Sequence, residues 1–174
     1  MSRAKIFARA SLVVLTVLEL ACGSHPTAPS VAQVAGIWTG TATLTTVNGG
    51  ECLNDLYSQF IGQQGDFSVT ITQNGTALSS TSLPECPLAG TAGASTFTLA
   101  SSPATCFSRA SDFPCQPPGS SFRDIALVER TLTGTIAGNR STMTVIEKDN
   151  VLLPGTSTIV GVLTTTIAAQ ATRR

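Results

Sequence analysis

The residues of this chain most able to do chemistry are its five cysteines. These are Cys22, Cys52, Cys86, Cys106 and Cys115. Cys22 follows a basic and then apolar N-terminal segment, whereas the other four are spread through the rest of the chain. The four lack the close paired spacing of a zinc site, and an even set of cysteines in an oxidising compartment is typical of disulfides. We therefore predict no metal site and two disulfides.

The pairing of these four cysteines is open to three connectivities from sequence alone. We favour Cys106 with Cys115, because a local bridge would fix the longest predicted loop, and this leaves Cys52 with Cys86. Each bridge is expected to stabilise the fold by roughly 2–4 kcal/mol.

Catalytic chemistry finds little support among the other side chains. The single histidine is His25, so a serine or cysteine nucleophile has no imidazole base in the body of the chain. Two carboxylates serve glycosidases, and Glu51 with Asp55, or Glu129 with Glu147, are the pairs we considered. Glu51 and Asp55 fit more simply as the acidic start of a helix. No glycine-rich phosphate loop precedes a helix. We predict a protein that is not an enzyme and needs no cofactor.

The N-terminus indicates export. Arg3, Lys5 and Arg9 are followed by an apolar run from Leu12 to Leu18. This run is shorter than the roughly 20 residues that a spanning helix needs, and it suits the core of a signal peptide, which takes about 7–15. We predict a signal peptide over residues 1–21 and a protein that folds outside the cytoplasm.

The residues around Cys22 specify how that signal would be processed. The stretch 18–23, Leu-Glu-Leu-Ala-Cys-Gly, resembles the lipobox of bacterial lipoproteins, although Glu19 stands where that family prefers an aliphatic residue. The resemblance implies a diacylglyceryl group on Cys22 and acyl chains such as palmitate, enough for stable membrane attachment. Gly23 after the cysteine is compatible with sorting to an outer membrane. Cleavage after Gly23 by a general signal peptidase is the alternative.

The composition of the chain after the signal peptide predicts one domain on a tether. Residues 22–33 are polar and proline-bearing, which is typical of a linker, and residues 34–174 have the size of a single domain. Ten acidic and ten basic residues give a formal net charge of zero. Such a balance provides no electrostatic attraction for nucleic acid.

The fold signal is an alternation of apolar or small residues with threonine. Threonine is β-branched with a polar tip, so it suits the solvent face of a half-buried strand. The alternation predicts eight strands, at 37–46, 66–73, 76–83, 95–100, 122–128, 130–137, 141–147 and 156–167. Eight antiparallel strands with short connections favour an all-β, up-and-down barrel, in which closure removes exposed edges.

Turn and helix signals complete the expected architecture. Asn74-Gly75 predicts a hairpin with a type I′ turn, Gly138-Asn139 predicts a second, and a third is expected at 148–150 or at Pro154-Gly155. Leu53, Leu56, Tyr57, Phe60 and Ile61 have the spacing of one helical face, which predicts a short helix over 54–62, after the first strand.

A second resemblance lies at the first strand. Gly36-Ile37-Trp38 is similar to the opening motif of lipocalins and related calycins, whose tryptophan closes one end of an eight-stranded barrel. In that superfamily the tryptophan often packs on an arginine from a late strand. The resemblance implies this role for Arg123, Arg130 or Arg140, between which the sequence does not choose. Trp38 as an ordinary core residue is the alternative.

A barrel of this size can hold one modest ligand. The candidate cavity residues are Trp38, Leu44, Phe67 and Ile136. The small residues beside them, such as Gly40, Ala42, Gly134 and Gly161, leave space for a ligand or mark tight bends of the strands. We predict a membrane-anchored envelope protein that binds a small apolar or amphipathic molecule. The alternative is a structural or protein-interaction module on the cell envelope.

Overall fold

The computed structural model describes residues 30–50, 52–82, 86–102, 106, 108–115 and 121–174. The signal peptide predicted for residues 1–21 and the lipidation site Cys22 lie outside the described residues, as does most of the tether predicted for 22–33. The described elements are β1 (Gly36–Gly49), α1 (Leu53–Ser58), β2 (Gln64–Asn74), β3 (Ala77–Ser80), β4 (Leu88–Ala92), β5 (Thr96–Ser101), β6 (Ser108–Pro114), β7 (Phe122–Ala137), β8 (Arg140–Leu152) and β9 (Ile159–Arg173).

The strands form one antiparallel sheet that closes into a ring. Their order is β5-β4-β3-β2-β1-β9-β8-β7-β6, and an additional pairing of β5 with β7 closes the circle. β5 pairs with residues 131–135 of β7, and β6 pairs with residues 122–127, so the two lie end to end along one edge of β7. The predicted all-β barrel of about eight antiparallel strands is therefore confirmed, with β6 continuing the path of β5.

Alternating side chains divide the barrel wall into an inner and an outer face. On β8, Met143 and Val145 are buried while Thr142 and Thr144 are exposed or half-buried. The larger apolar group inside, which we call the Trp38 cluster, is built on Trp38, Ile71, Phe97, Leu99 and Leu132 with nine further buried residues. The smaller group, the Leu53 cluster, consists of the buried Leu53, Val151 and Leu163 with half-buried neighbours.

Helix α1 packs on the Leu53 cluster. Its first residue, Leu53, is fully buried, and Leu56 and Tyr57 pack beside it. The helix is shorter than the predicted 54–62, because residues 59–62 form turns and leave Phe60 and Ile61 exposed. No helix among the described residues has the length and apolar character needed to cross a bilayer.

The strand pattern differs from the prediction in three places. The predicted strands 122–128 and 130–137 are one strand, β7, whose pairing with β8 shifts between Leu127 and Glu129 as at a β-bulge. β4 and β6 lie in segments predicted as loops. β4 contains Gly90, where a Cβ atom would lie 1.8 Å from the backbone oxygen of Thr98. Small residues let β4 lie close to the neighbouring strand. They stand where β-branched residues would otherwise have indicated a strand in the sequence.

The first hairpin turns one residue later than predicted. Asn74 pairs with Ala77, so the central residues are Gly75 and Thr76. Gly75 has φ +60° and no positive φ occurs at Thr76 or Asn74, which is the pattern of a type II′ turn rather than type I′. The hairpin at Gly138-Asn139 is confirmed. The third turn lies at Pro154-Gly155, beyond the end of β8.

Both disulfides differ from the favoured pairing. Cys52 bonds to Cys115, and Cys86 bonds to Cys106. The predicted bridge between Cys106 and Cys115 is wrong because strand β6 lies between them. A strand of 7 residues advances roughly 3.3 Å per residue, far beyond the Cα separation of about 4.4–6.8 Å that a disulfide spans. Two disulfides fit a protein that folds in an oxidising compartment, which is usual outside the cytosol.

Candidate ligand cavity

The barrel wall has an opening beside β2. β3 pairs only with Thr72, Gln73 and Asn74 of β2, so residues 64–71 have no strand partner on that edge among the described residues. Where the ladder stops, the backbone N–H of Thr70 donates to the Ser82 hydroxyl at 2.9 Å. As far as the described strands go, a short strand next to a long one therefore leaves a gap in the side of the barrel.

A cavity of about 280 Å³ lies at this gap. Its lining combines exposed residues of the opening, Asp66, Ser68 and Ser82, with side chains of the barrel interior. The interior part is mainly apolar, and six strands supply its apolar side chains, which are Ala42, Phe67, Val69, Leu88, Leu132, Val145 and Ile167. The cavity is thus an apolar chamber with polar groups at its entrance, as in many small-molecule sites.

The four residues predicted to line a cavity occupy different places. Phe67 lines the chamber. Trp38 is fully buried in the cluster named after it, and Ile136 packs against that cluster. Leu44 is half-buried on β1, opposite Ile167 of β9. The structure brings these residues to the barrel interior, and of the four only Phe67 is among the lining residues of the chamber.

The small residues divide between the two predicted roles. Ala42 lines the cavity. At Gly40 a Cβ atom would lie 1.9 Å from the Gln170 backbone oxygen, and at Gly134 it would lie 2.5 Å from the Phe97 ring. These two glycines permit close packing of neighbouring groups and leave no space for a ligand.

One ion pair lies in the cavity lining. Arg130 of β7 is directly opposite Glu147 of β8 in the sheet register, and the guanidinium Nη2 binds the Glu147 carboxylate. The side chains are 21% and 19% exposed. The Nε–H of Arg130 is buried and has no hydrogen-bond partner among the described residues. The guanidinium therefore has donors that the protein leaves unused.

The ion pair belongs to a polar layer across the barrel. Along the inner face of β8, the apolar Met143 and Val145 are followed by Glu147 and Asp149, and then by the buried Val151. On β9, the buried Thr165 lies opposite Glu147. This layer separates the Trp38 cluster from the Leu53 cluster.

Burial changes the acidity of Asp149 in this layer and of Tyr57, which packs beside Leu53. The pKa of Asp149 is raised to about 6, first by burial and then by the charge of Glu147, while Arg130 acts in the opposite direction. The pKa of Tyr57 is raised to about 12 by burial and by the charges of Asp149 and Glu147. The interior of the barrel thus favours the uncharged forms of both groups.

Of the carboxylate pairs considered from the sequence, the structure describes both members only of Glu129 and Glu147, and these two do not come together. Glu51 lies outside the described residues, and Asp55 lies in the first turn of α1. Glu129 bonds to Lys148 at 2.9 Å, while the next residue, Arg130, binds Glu147. Successive strand residues face opposite sides, so Glu129 and Glu147 do not meet. Among the described residues, no group of three or more His, Cys, Asp or Glu side chains could hold a metal ion.

The indole of Trp38 has both a hydrogen-bond acceptor and a cation beside it. Its N–H donates to the backbone oxygen of Val34 at 2.8 Å. The guanidinium carbon of Arg173, on β9, lies 5.5 Å from the ring centroid. The three arginines suggested as counterparts from the sequence, Arg123, Arg130 and Arg140, do not take this place, because β9 and not β7 or β8 is the strand paired with β1 at Trp38.

No protein-family model, curated protein or solved structure matches this chain.

Arg130 and Glu147 were not singled out as cavity residues from the sequence. A signal for them exists, because each interrupts an apolar register. Arg130 shares its face with Leu132, and Glu147 shares its face with Val145. Opposite charges in the inward register of two adjacent strands indicate a buried ion pair, and this pattern identifies the polar end of the cavity.

Proposed function

We propose that this protein is an exported, membrane-tethered binding protein that holds a small amphipathic molecule in the cavity beside β2 and acts without catalysis. The observation that carries the proposal is a chamber of about 280 Å³ with an apolar wall and one ion pair, open through a gap in the sheet. Burial of apolar ligand surface against Phe67, Leu88 and Ile167 supplies the favourable free energy. The polar groups supply orientation.

The scaffold around this chamber supports the proposal. The disulfide between Cys86 and Cys106 holds Cys86, which lines the cavity, in place. The closed sheet holds the other walls, because each ring strand is hydrogen-bonded to two neighbours. A largely preformed site loses less conformational freedom on binding.

The membrane tether is the second part of the proposal, and Cys22 is its attachment point. Val31 and Ala32 pack against the Trp38 cluster, and the Ala32 N–H donates to the Gly93 backbone oxygen at 2.8 Å. The described part of the chain therefore begins beside the Trp38 cluster. A lipid on Cys22 would hold that end of the barrel towards the membrane.

Binding is tested by filling the chamber. Ala42→Leu places three more carbon atoms in the cavity, whereas Thr43→Leu places the same leucine side chain at the next residue, which faces away from it. Native mass spectrometry of the exported protein should show a small-molecule adduct that Ala42→Leu loses and Thr43→Leu retains, with both variants folded. Repeated absence of an adduct from the unaltered protein, or equal retention by both variants, contradicts the proposed site.

The tether is tested separately by fractionation. Cys22→Ser removes the sulfur that receives the lipid, so the exported protein should move from the membrane fraction to the soluble fraction. A Cys22→Ser protein that stays with the membranes contradicts lipidation at this residue, and it leaves the cavity proposal untouched.

A further inference from the structure

Building on the cavity proposed above, we propose that its ligand is an uncharged carbonyl compound, an apolar body with one neutral oxygen acceptor that binds the Arg130 guanidinium. The inference rests on two independent observations, namely the unused hydrogen-bond donors of Arg130 and the charge balance of the cavity lining.

The first observation concerns donors. A guanidinium carries five N–H donors, and among the described residues only Nη2 of Arg130 has a protein partner, the Glu147 carboxylate. The Nε–H is buried without an acceptor. Because native proteins rarely leave such a donor unsatisfied, an acceptor from outside the chain completes the site. One contact to Glu147 lets the guanidinium turn its free N–H groups towards a ligand in the chamber.

The second observation concerns charge. Among the described residues of the lining, Arg130 and Glu147 balance each other, and the remaining charged residue is Asp66 at the entrance. An anionic head group would meet the carboxylates of Glu147 and Asp66, and a cationic head group would meet Arg130 at close range. A neutral oxygen meets neither penalty and still accepts a hydrogen bond from a charged donor.

The apolar lining and the volume of the chamber indicate the size and polarity of the rest of the ligand. Phe67, Val69, Leu132, Val145 and Ile167 present carbon surfaces around the chamber. A volume of about 280 Å³ suits a molecule of one aromatic ring with a short substituent. Ser80 is buried in the lining, where its hydroxyl lies 3.2 Å from that of Ser82.

The experiment uses four probes of similar size that differ in the head group. They are acetophenone, benzoate, benzylamine and ethylbenzene, titrated by calorimetry or NMR into the purified exported protein with both disulfides formed. Acetophenone should bind most tightly, by about tenfold over ethylbenzene, as expected for one hydrogen bond to a charged donor. Tighter binding of benzoate, benzylamine or ethylbenzene overturns the inference and leaves the cavity proposal standing. Failure of all four, together with no adduct in native mass spectra, overturns both.

Two sets of variants assign the effect to the ion pair. Arg130→Met with Glu147→Gln removes both charges, and it should reduce the preference for acetophenone over ethylbenzene to about one. The matched control is Glu129→Gln with Lys148→Met, which removes the neighbouring ion pair on the outer face of the same two strands. The control should keep the preference. An unchanged preference in the first double variant contradicts the role of Arg130.

A single substitution provides a test that does not depend on losing Arg130. Glu147→Gln keeps the shape of the side chain and leaves the guanidinium without its counter-charge. The affinity for benzoate should then rise above the affinity for acetophenone. If Glu147→Gln leaves the order of the four probes unchanged, the charge argument is wrong.

Discussion

Arg173, the last residue of β9, lies over the indole of Trp38 near the start of β1, with 5.5 Å between the guanidinium carbon and the ring centroid. The same guanidinium donates from Nη1 to the backbone oxygen of Gln33 at 2.5 Å. The side chain of Arg173 therefore joins the C-terminal end of β9 to the residues around the start of β1. The contact closes the end of the barrel at which the chain enters.

The first prediction concerns this contact. Arg173→Met keeps much of the aliphatic stem and removes the charge, so it should lower the free energy of unfolding by roughly 1–2 kcal/mol through the lost cation–π contact and hydrogen bond. Urea denaturation measures this, followed by the fluorescence of Trp38, the one tryptophan of the chain. Arg140→Met is the control, since Arg140 is exposed and opposite Thr172. Equal losses in both variants would contradict the contact.

The second prediction separates the two disulfides. The bridge between Cys52 and Cys115 spans 63 residues, and the bridge between Cys86 and Cys106 spans 20. The loop-entropy relation gives about 4 kcal/mol for the first and about 3 kcal/mol for the second. Replacing each pair by alanine and measuring urea denaturation should show the larger loss for Cys52 and Cys115. Peptide mapping without reduction gives the pairing directly, and a Cys106–Cys115 peptide would refute it.

The third prediction concerns pH and Asp149. The folded-state pKa of about 6 lies above the ordinary value of 3.8, so between these values the folded protein holds a proton that the unfolded chain has lost. This contribution to stability is full below about pH 4 and is lost as the pH rises through 6. The loss is of order 2–3 kcal/mol.

The variant Asp149→Asn should remove this dependence. Its melting temperature should exceed that of the unaltered protein at pH 7–8, by several degrees for roughly 2 kcal/mol in a domain of this size. At pH 4 the two proteins should melt within a degree or so of each other, because Asp149 is then protonated. Thermal melts followed by circular dichroism at both pH values measure this. The same difference in melting temperature at both pH values would show that the substitution does not act through the protonation of Asp149.

The fourth prediction concerns Asp124, which joins β7 to the β8–β9 turn. Its carboxylate accepts from Arg109 at 2.6 Å and from the Gly155 backbone N–H at 3.0 Å. The Arg109 hydrogen bond, followed by that of Gly155, lowers the pKa of Asp124 below its usual 3.8. Stability from this group is present above that value and is lost as the pH falls through the lower folded-state pKa.

The loss of stability from Asp124 at low pH can be measured with a variant. Asp124→Asn should destabilise the protein at pH 7, and the difference from the unaltered protein should shrink below about pH 4. Hydrogen exchange at Gly155 should rise in the variant, because the neutral amide oxygen of asparagine is a weaker acceptor for its N–H than the carboxylate. A pH-independent difference in melting temperature, with unchanged exchange at Gly155, would contradict the assigned contacts.

Local sequence patterns were sufficient to predict most of the strands that form the barrel wall. Alternation of threonine with apolar residues identified β1, β2, β7, β8 and β9, because the strand pleat places successive side chains on opposite faces whatever the partner strand is. The glycine at each hairpin, such as Gly138, gave the turn because a positive φ is a property of the residue itself. The short strands β4 and β6 were missed since their small and irregular sequences carry no such pattern.

The sequence by itself determined an all-β chain with two faces, one short helix and an even set of four cysteines after Cys22. Only the tertiary structure decided which distant residues meet: Cys52 with Cys115, Arg173 with Trp38, and Arg130 with Glu147. The physical reason is register. Side-chain alternation is set within a strand, but a partner across the sheet is set by how far one strand is shifted along another, and that shift depends on packing of the whole barrel.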